Sequence, residues 1–242
     1  MSPAVPLIAL ESVVVMRGRR PVLAIAEMAI DPGMVLALSG ANGAGKTTLL
    51  KLLAGLVVAD RGVLTCLGTR LAPRPAARYC RGRHVYLHQT PYMFEGSVED
   101  NIAYGLATRV RDFAARRIEI RAALAWAELG GLARRRAKTL SLGEQQRVAL
   151  TRAKVLAPPL LLLDEITANL DAENRRRTYA LIADLKRAGT SVVFASHDPE
   201  PVAAHADLHL ELVDGRLQRY APYTSAVVPL RPPAHAERHE SG

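Results

Sequence analysis

Apolar residues along the chain fall into short blocks of two kinds. Dense or β-branched blocks predict strands over residues 7–16, 22–30, 35–38, 62–67, 84–87, 160–163, 191–195 and 208–213. Blocks at helical spacing predict helices over 49–54, 112–128, 131–136, 141–157 and 171–188. Ser141 is placed to cap its helix, which must stop before Pro158; Gly189 closes the helix that Asp171 opens. Strands alternating with helices imply a mainly parallel α/β sheet. From Ser97 to about Arg136 the chain turns alanine-rich and charge-laced, which predicts a helical subdomain. The end of the chain is rich in proline, histidine and charge and is expected to be disordered over 221–242. No internal repeat is evident.

Residues 40–48 then add chemistry. They read Gly40-Ala41-Asn42-Gly43-Ala44-Gly45-Lys46-Thr47-Thr48, the pattern G-x-x-x-x-G-K-[ST] with an extra glycine at Gly43. The glycines let backbone N–H groups turn inward around phosphates. Lys46 is of a type and position to reach the β- and γ-phosphates, and the Thr47 hydroxyl to ligate Mg²⁺. An apolar strand precedes the loop and a helix follows it, so the loop opens a helix N-terminus, a natural anion site.

A second constellation lies at the end of the apolar run 160–163, where Asp164 and Glu165 follow directly. A buried strand delivers its terminal acids to the carboxyl edge of the sheet, where α/β folds bind ligands. Asp164 is a candidate Mg²⁺ ligand and Glu165 a candidate base for an attacking water.

Composition narrows the class. The 242 residues are 49% hydrophobic, enough for one globular domain with a subdomain. No apolar run approaches the ~18 residues of a membrane span, and the first residues lack a signal-peptide pattern, so a cytoplasmic location is expected. Cys66 and Cys80 sit in no metal-ligand spacing and are expected as free thiols. The net charge of +9 comes from small arginine clusters. It is compatible with a solvated basic surface, with proximity to anionic lipid, or with nucleic acid. No aromatic-interleaved nucleic-acid motif accompanies the charge, and no nucleic-acid partner is expected.

The order of motifs resembles one family. Leu140-Ser141-Leu142-Gly143-Glu144-Gln145-Gln146-Arg147 resembles the signature motif of ATP-binding-cassette ATPases. Gln89 resembles their Q-loop, Leu170-Asp171 their D-loop, and His197 their switch histidine. The resemblance covers roughly residues 5–219. It implies a P-loop NTPase fold of ABC type: a RecA-like core, an antiparallel β subdomain and a helical subdomain. On that basis the cassette is expected over 5–220, with the helical subdomain inserted over about 92–150.

The resemblance also implies ATP and Mg²⁺ as ligands. ATP would lie between the P-loop of one subunit and Ser141 and Gly143 of a second, identical one. Glu165 would polarise water, His197 contact the γ-phosphate, Gln89 touch Mg²⁺, and Asp171 connect the two sites. Three positions depart from the pattern. Leu142 replaces a signature glycine, which predicts a slower site. Ile166 replaces the proline after the glutamate. The aromatic that stacks on adenine is missing, and Met16 or Arg17 is expected in its place.

Compactness fits a transporter motor on the cytoplasmic face of a membrane, partnered by an integral permease and an extracytoplasmic solute-binding protein. Residues 89–106 and 134–146 resemble tungstate and related oxyanion importers. An exporter or metal-homeostasis cassette would share all of this chemistry, and a nucleic-acid-associated ATPase is a third alternative.

Overall fold

A computed structural model describes residues 5–107, 109–196 and 206–220. In chain order the strands are β1 (Ile8–Arg17), β2 (Arg20–Ile30), β3 (Val35–Ser39), β4 (Arg61–Cys66), β5 (Thr69–Leu71), β6 (Val85–Leu87), β7 (Leu160–Asp164), β8 (Ser191–Ala195), β9 (Leu208–Val213) and β10 (Arg216–Arg219). The helices are α1 (Lys46–Leu53), α2 (Pro73–Cys80), α3 (Val98–Leu106), α4 (Phe113–Trp126), α5 (Leu142–Leu156) and α6 (Ala172–Arg187). Two sheets form. One is antiparallel, in the order β2-β1-β4-β5; the other runs β10-β9-β3-β8-β7-β6. In the second sheet every pairing from β9 to β6 is parallel and only β10 runs against its neighbour.

The central strands β3, β7 and β8 are buried at every residue, as parallel strands covered on both faces must be. Their period-two alternation divides the interior. Ala37, Leu161, Leu163, Val192 and Phe194 face one core with α3 to α6. Leu36, Leu38, Leu160, Leu162 and Val193 face another, shared with α1, α2 and the antiparallel sheet. The parallel strands β3, β6 and β7 all end toward the same edge, which brings the P-loop, Gln89 and Asp164 together.

Helix ends follow the expected chemistry. Ser141 and Glu144 form a reciprocal capping box at α5, and Asp171 caps α6 by accepting from the Asn174 N–H at 2.8 Å. Helix α5 ends at Ala157 in a left-handed conformation, immediately before Pro158. The expected helix over 131–136 is corrected. Only 3-10 turns occur, at Gly130–Leu132 and Ala137–Thr139. The carbonyls of Ala133 and Arg135 accept instead from Glu99 and Val98, at the start of α3. Helix α2 is not among the expected elements; it opens at Pro73, and proline fits a first helical turn whose N–H groups have no internal partner. His197 and the segment 221–242 lie outside the described residues.

Candidate active site

The loop after β3 is shaped by glycines at two tight points. Gly40 has φ 139, and a Cβ there would lie 2.4 Å from the Leu212 carbonyl oxygen. Gly45 has φ 108, and a Cβ would lie 2.9 Å from Leu23 Cδ2 and 3.0 Å from the Val22 carbonyl oxygen. The chain therefore wraps closely between the start of β2 and β9, a path that a side chain would block. Gly45 then opens α1 without any side-chain cap, so its first N–H groups remain directed at the loop.

Lys46 is 6% exposed. Its Nζ donates to the carbonyls of Gly40 at 2.6 Å and Ala41 at 3.2 Å, and stands 3.6 Å from Glu165 Oε1. A buried ammonium must be compensated, and here the loop carbonyls and one carboxylate do so. Glu165 itself has φ 50, an uncommon conformation at the strand end that re-aims the chain after Asp164. Its N–H donates to the Ala195 carbonyl at 3.1 Å, fixing it to the end of β8.

Asp164 is 7% exposed, and its Oδ2 accepts from the Tyr86 hydroxyl at 2.6 Å. Burial, together with the neighbouring Asp164 carboxylate, holds the Tyr86 phenol above its ordinary pKa, so it stays a proton donor. Tyr86 was not foreseen from the sequence. It lies on β6, whose parallel pairing with β7 brings it beside Asp164, a neighbour that only the strand order defines. His88 meets the Tyr86 ring edge-on at 4.6 Å between centroids.

These groups line one cavity of about 560 Å³. Asn42, Gly43, Gly45, Lys46, Thr47, Thr48, Gln89, Asp164 and Glu165 all border it. Gly40 and Ala44 border adjoining hollows. Of the two residues expected at the base, Arg17 lines the cavity, beside Val22, and Met16 does not. Successive strand residues point to opposite faces, and the Met16 N–H is tied to Asp60 Oδ2 at 2.7 Å. Ser141, Gly143 and Asp171 are absent from the lining of this cavity. Gly143 and Asp171 stand elsewhere, both against Asn174. The Arg147 guanidinium and the Asp171 carboxylate both bond its amide, at 2.9 and 2.7 Å.

Thr47, Gln89 and Asp164 supply oxygen donors to one space, as a hard divalent cation requires. No group of three or more His, Cys, Asp or Glu side chains suited to a metal occurs among the described residues. Asp164 with the oxygens of Thr47 and Gln89 is a donor set of the kind Mg²⁺ uses, one or two carboxylates plus substrate phosphates.

Comparison with known proteins agrees with this geometry. The family profile described as "ABC transporter" matches residues 23–168. The thiamine import ATP-binding protein ThiQ of Rhizobium meliloti is 36% identical over 197 residues, covering 79% of this chain and 80% of that protein. The hemin import ATP-binding protein HmuV of Streptomyces coelicolor is 38% identical over 207 residues, covering 85% and 74%. Among solved structures, cbiO1 from Clostridium perfringens, part of the ABC transporter complex cbiONQ, superposes with a TM-score of 0.80 at 24% identity, covering 88% of this chain and 87% of that one. A dimeric ATP-binding cassette in a post-hydrolysis state bound to ADP and Pi superposes with a TM-score of 0.76 at 25% identity, over 88% and 97%. A glycine-rich loop around a buried lysine, a carboxylate pair at the sheet's carboxyl edge, and sequence similarity over most of the chain lead to one conclusion: this chain belongs to the ABC transporter family and is one of its ATP-binding ATPase domains.

Proposed function

We propose that the chain is the motor of an importer and works as a pair of identical copies with ATP between them. The observation that carries this reading is Lys46, buried and held between the Gly40 carbonyl and Glu165 in a cavity that Thr47, Gln89 and Asp164 share. On this reading Lys46 exchanges those carbonyls for the β- and γ-phosphate oxygens, which satisfy an ammonium better than neutral carbonyls do. The backbone N–H groups of the loop and the N-terminus of α1 hold the remaining phosphate charge. Glu165, freed from Lys46, orients the attacking water and takes its proton.

Thr47, Asp164 and Gln89 would hold Mg²⁺, which when bound neutralises charge between the β- and γ-phosphates. Tyr86 fixes one Asp164 oxygen and leaves the other available. By family resemblance His197 contacts the γ-phosphate. Ser141 and Gly143 of the second copy close over the same phosphate, and Asp171 connects the two sites. Removal of the γ-phosphate then loosens the pair.

Arg17 takes the place of the adenine-stacking aromatic, as a guanidinium over the base face. Residues 89–101 form the docking surface for an integral permease. Tyr92 and Tyr104 are 70% and 66% exposed, and Phe94 lies between them at 5.4 and 4.5 Å. Such an aromatic cluster fits the apolar centre of an interface. Import is favoured because similar proteins are named as import ATP-binding proteins for thiamine, hemin and Fe³⁺. Those cargoes differ widely, consistent with selection by the permease and a solute-binding protein on the far side of the membrane. Residues 89–106 and 134–146 favour tungstate or a related oxyanion. The cassette itself sits peripherally at the cytoplasmic face.

Two measurements test this. Glu165→Gln should retain ATP binding and lose about 10²-fold or more in turnover. Purification from detergent-solubilised membranes should recover a polytopic permease. Recovery with nucleic acid from the soluble fraction alone would overturn the transport reading and leave the ATPase intact.

A further inference from the structure

The start of α5 and the start of α6 meet at a single side chain, Asn174. Its Oδ1 accepts from Arg147 at 2.9 Å, and its Nδ2 donates to Asp171 Oδ2 at 2.7 Å. Its own N–H donates to Asp171 Oδ1 at 2.8 Å, so both carboxylate oxygens are held by one residue. The third contact is with Gly143. A Cβ at Gly143 would sit 2.5 Å from Asn174 Cγ and 2.6 Å from its Oδ1. Gly143 is helical and has no positive φ. A side chain at Gly143 would thus force Asn174 aside, a cause for the glycine inside this chain before any second copy approaches.

The surroundings make the link stiff. Arg147 is 6% exposed, its Nε has no hydrogen-bond partner, and no carboxylate lies within ion-pair distance of it among the described residues. A buried cation left with a neutral amide as its hydrogen-bond partner holds that amide firmly. Leu142, on the same first turn, is half-buried.

We propose that Asn174 is a positioning residue: it locks the signature turn at Ser141–Gly143 to Asp171, so that both reach the second copy's nucleotide as one rigid unit. This rests on the two-copy reading above. Neither Ser141 nor Asp171 lines the chain's own phosphate cavity, so Asn174 acts on turnover without touching the nucleotide that its own P-loop holds.

The test uses the full chain. Asn174→Asp keeps the volume beside Gly143 and the acceptor for Arg147. It replaces the donor to Asp171 with a second carboxylate. The expected result is a fall in kcat of about tenfold to a hundredfold. KM for ATP, and binding of a fluorescent ATP analogue, should stay within about twofold. Asn174→Ala should show the same loss. Wild-type turnover in Asn174→Asp overturns the proposal, since a merely space-filling side chain would tolerate that change. So does a kcat loss that only tracks the folded fraction in a thermal melt. Glu165→Gln, run beside them, separates the two readings. If it retains turnover, the site assignment fails. If it loses turnover while Asn174→Asp keeps it, only the positioning role fails.

Discussion

Replacing Tyr86 with phenylalanine removes one oxygen and leaves the ring, and so isolates its bond to Asp164. The acceptor is a carboxylate 7% exposed, and the donor approaches to 2.6 Å. Hydrogen bonds to charged groups contribute about 1.5–3 kcal/mol net. The substitution leaves Asp164 Oδ2 without its donor in a site that water reaches poorly, so the upper part of that range applies. For a domain of this size, each kcal/mol lowers Tm by about 2–4 °C. The expected fall is therefore about 4–12 °C in a melt without nucleotide. With MgATP bound the difference should narrow, because the ligand restores a partner to Asp164. Turnover should also fall, since Asp164 is then held less tightly. Calorimetry with and without MgATP reads both effects. A Tm unchanged within about 1 °C, with unchanged turnover, would refute the idea that Tyr86 orients Asp164.

Four further outcomes are expected. Gly45→Ala forces a side chain into a left-handed conformation, at about 1–2 kcal/mol before its overlap with Leu23 and Val22 is counted, and should abolish nucleotide binding measured by equilibrium dialysis. Leu142→Gly should raise kcat in a coupled ATPase assay; no rise would count against crowding by Leu142. With Arg17 in place of an aromatic ring, GTP should compete with ATP within about tenfold, and a strong ATP preference in a competition assay would sink that assignment. His84 is held below the ordinary histidine value of 6.5 by burial, against the bond of its ring to the Leu53 carbonyl. The unfolded chain therefore takes up the proton more readily. The resulting stability is complete above pH 6.5 and declines as pH falls from there through the folded value. Melts of wild type and His84→Gln between pH 8 and 5 should converge toward the acid end; parallel curves would exclude His84.

The glycine loop was legible because its path depends on local backbone. Gly40, Gly45, Lys46 and Thr47 are fixed by one turn and one helix start, so their spacing is written along the chain. Asp164 and Glu165 were legible because an all-apolar strand had to end on them. The caps at Ser141 and Asp171 are also local, each a side chain meeting an N–H three residues on.

What lay beyond the sequence are contacts between segments distant along the chain. The pairing of β6 with β7 puts Tyr86 on Asp164, 78 residues apart. The segment 131–136 has the composition of a helix, yet its carbonyls were taken by α3, a competition that no local propensity encodes. Met16 and Arg17 were equal candidates until strand alternation turned only Arg17 toward the cavity. Gly143 likewise carried a reading toward a second copy, whereas packing adds a cause within the chain, Asn174. The sequence by itself determined what short-range backbone geometry dictates: the turn of the glycine loop into α1, and the caps that open α5 and α6. Tertiary structure alone decided which distant side chains complete those groups, because sheet order and helix packing set distances that residue spacing does not.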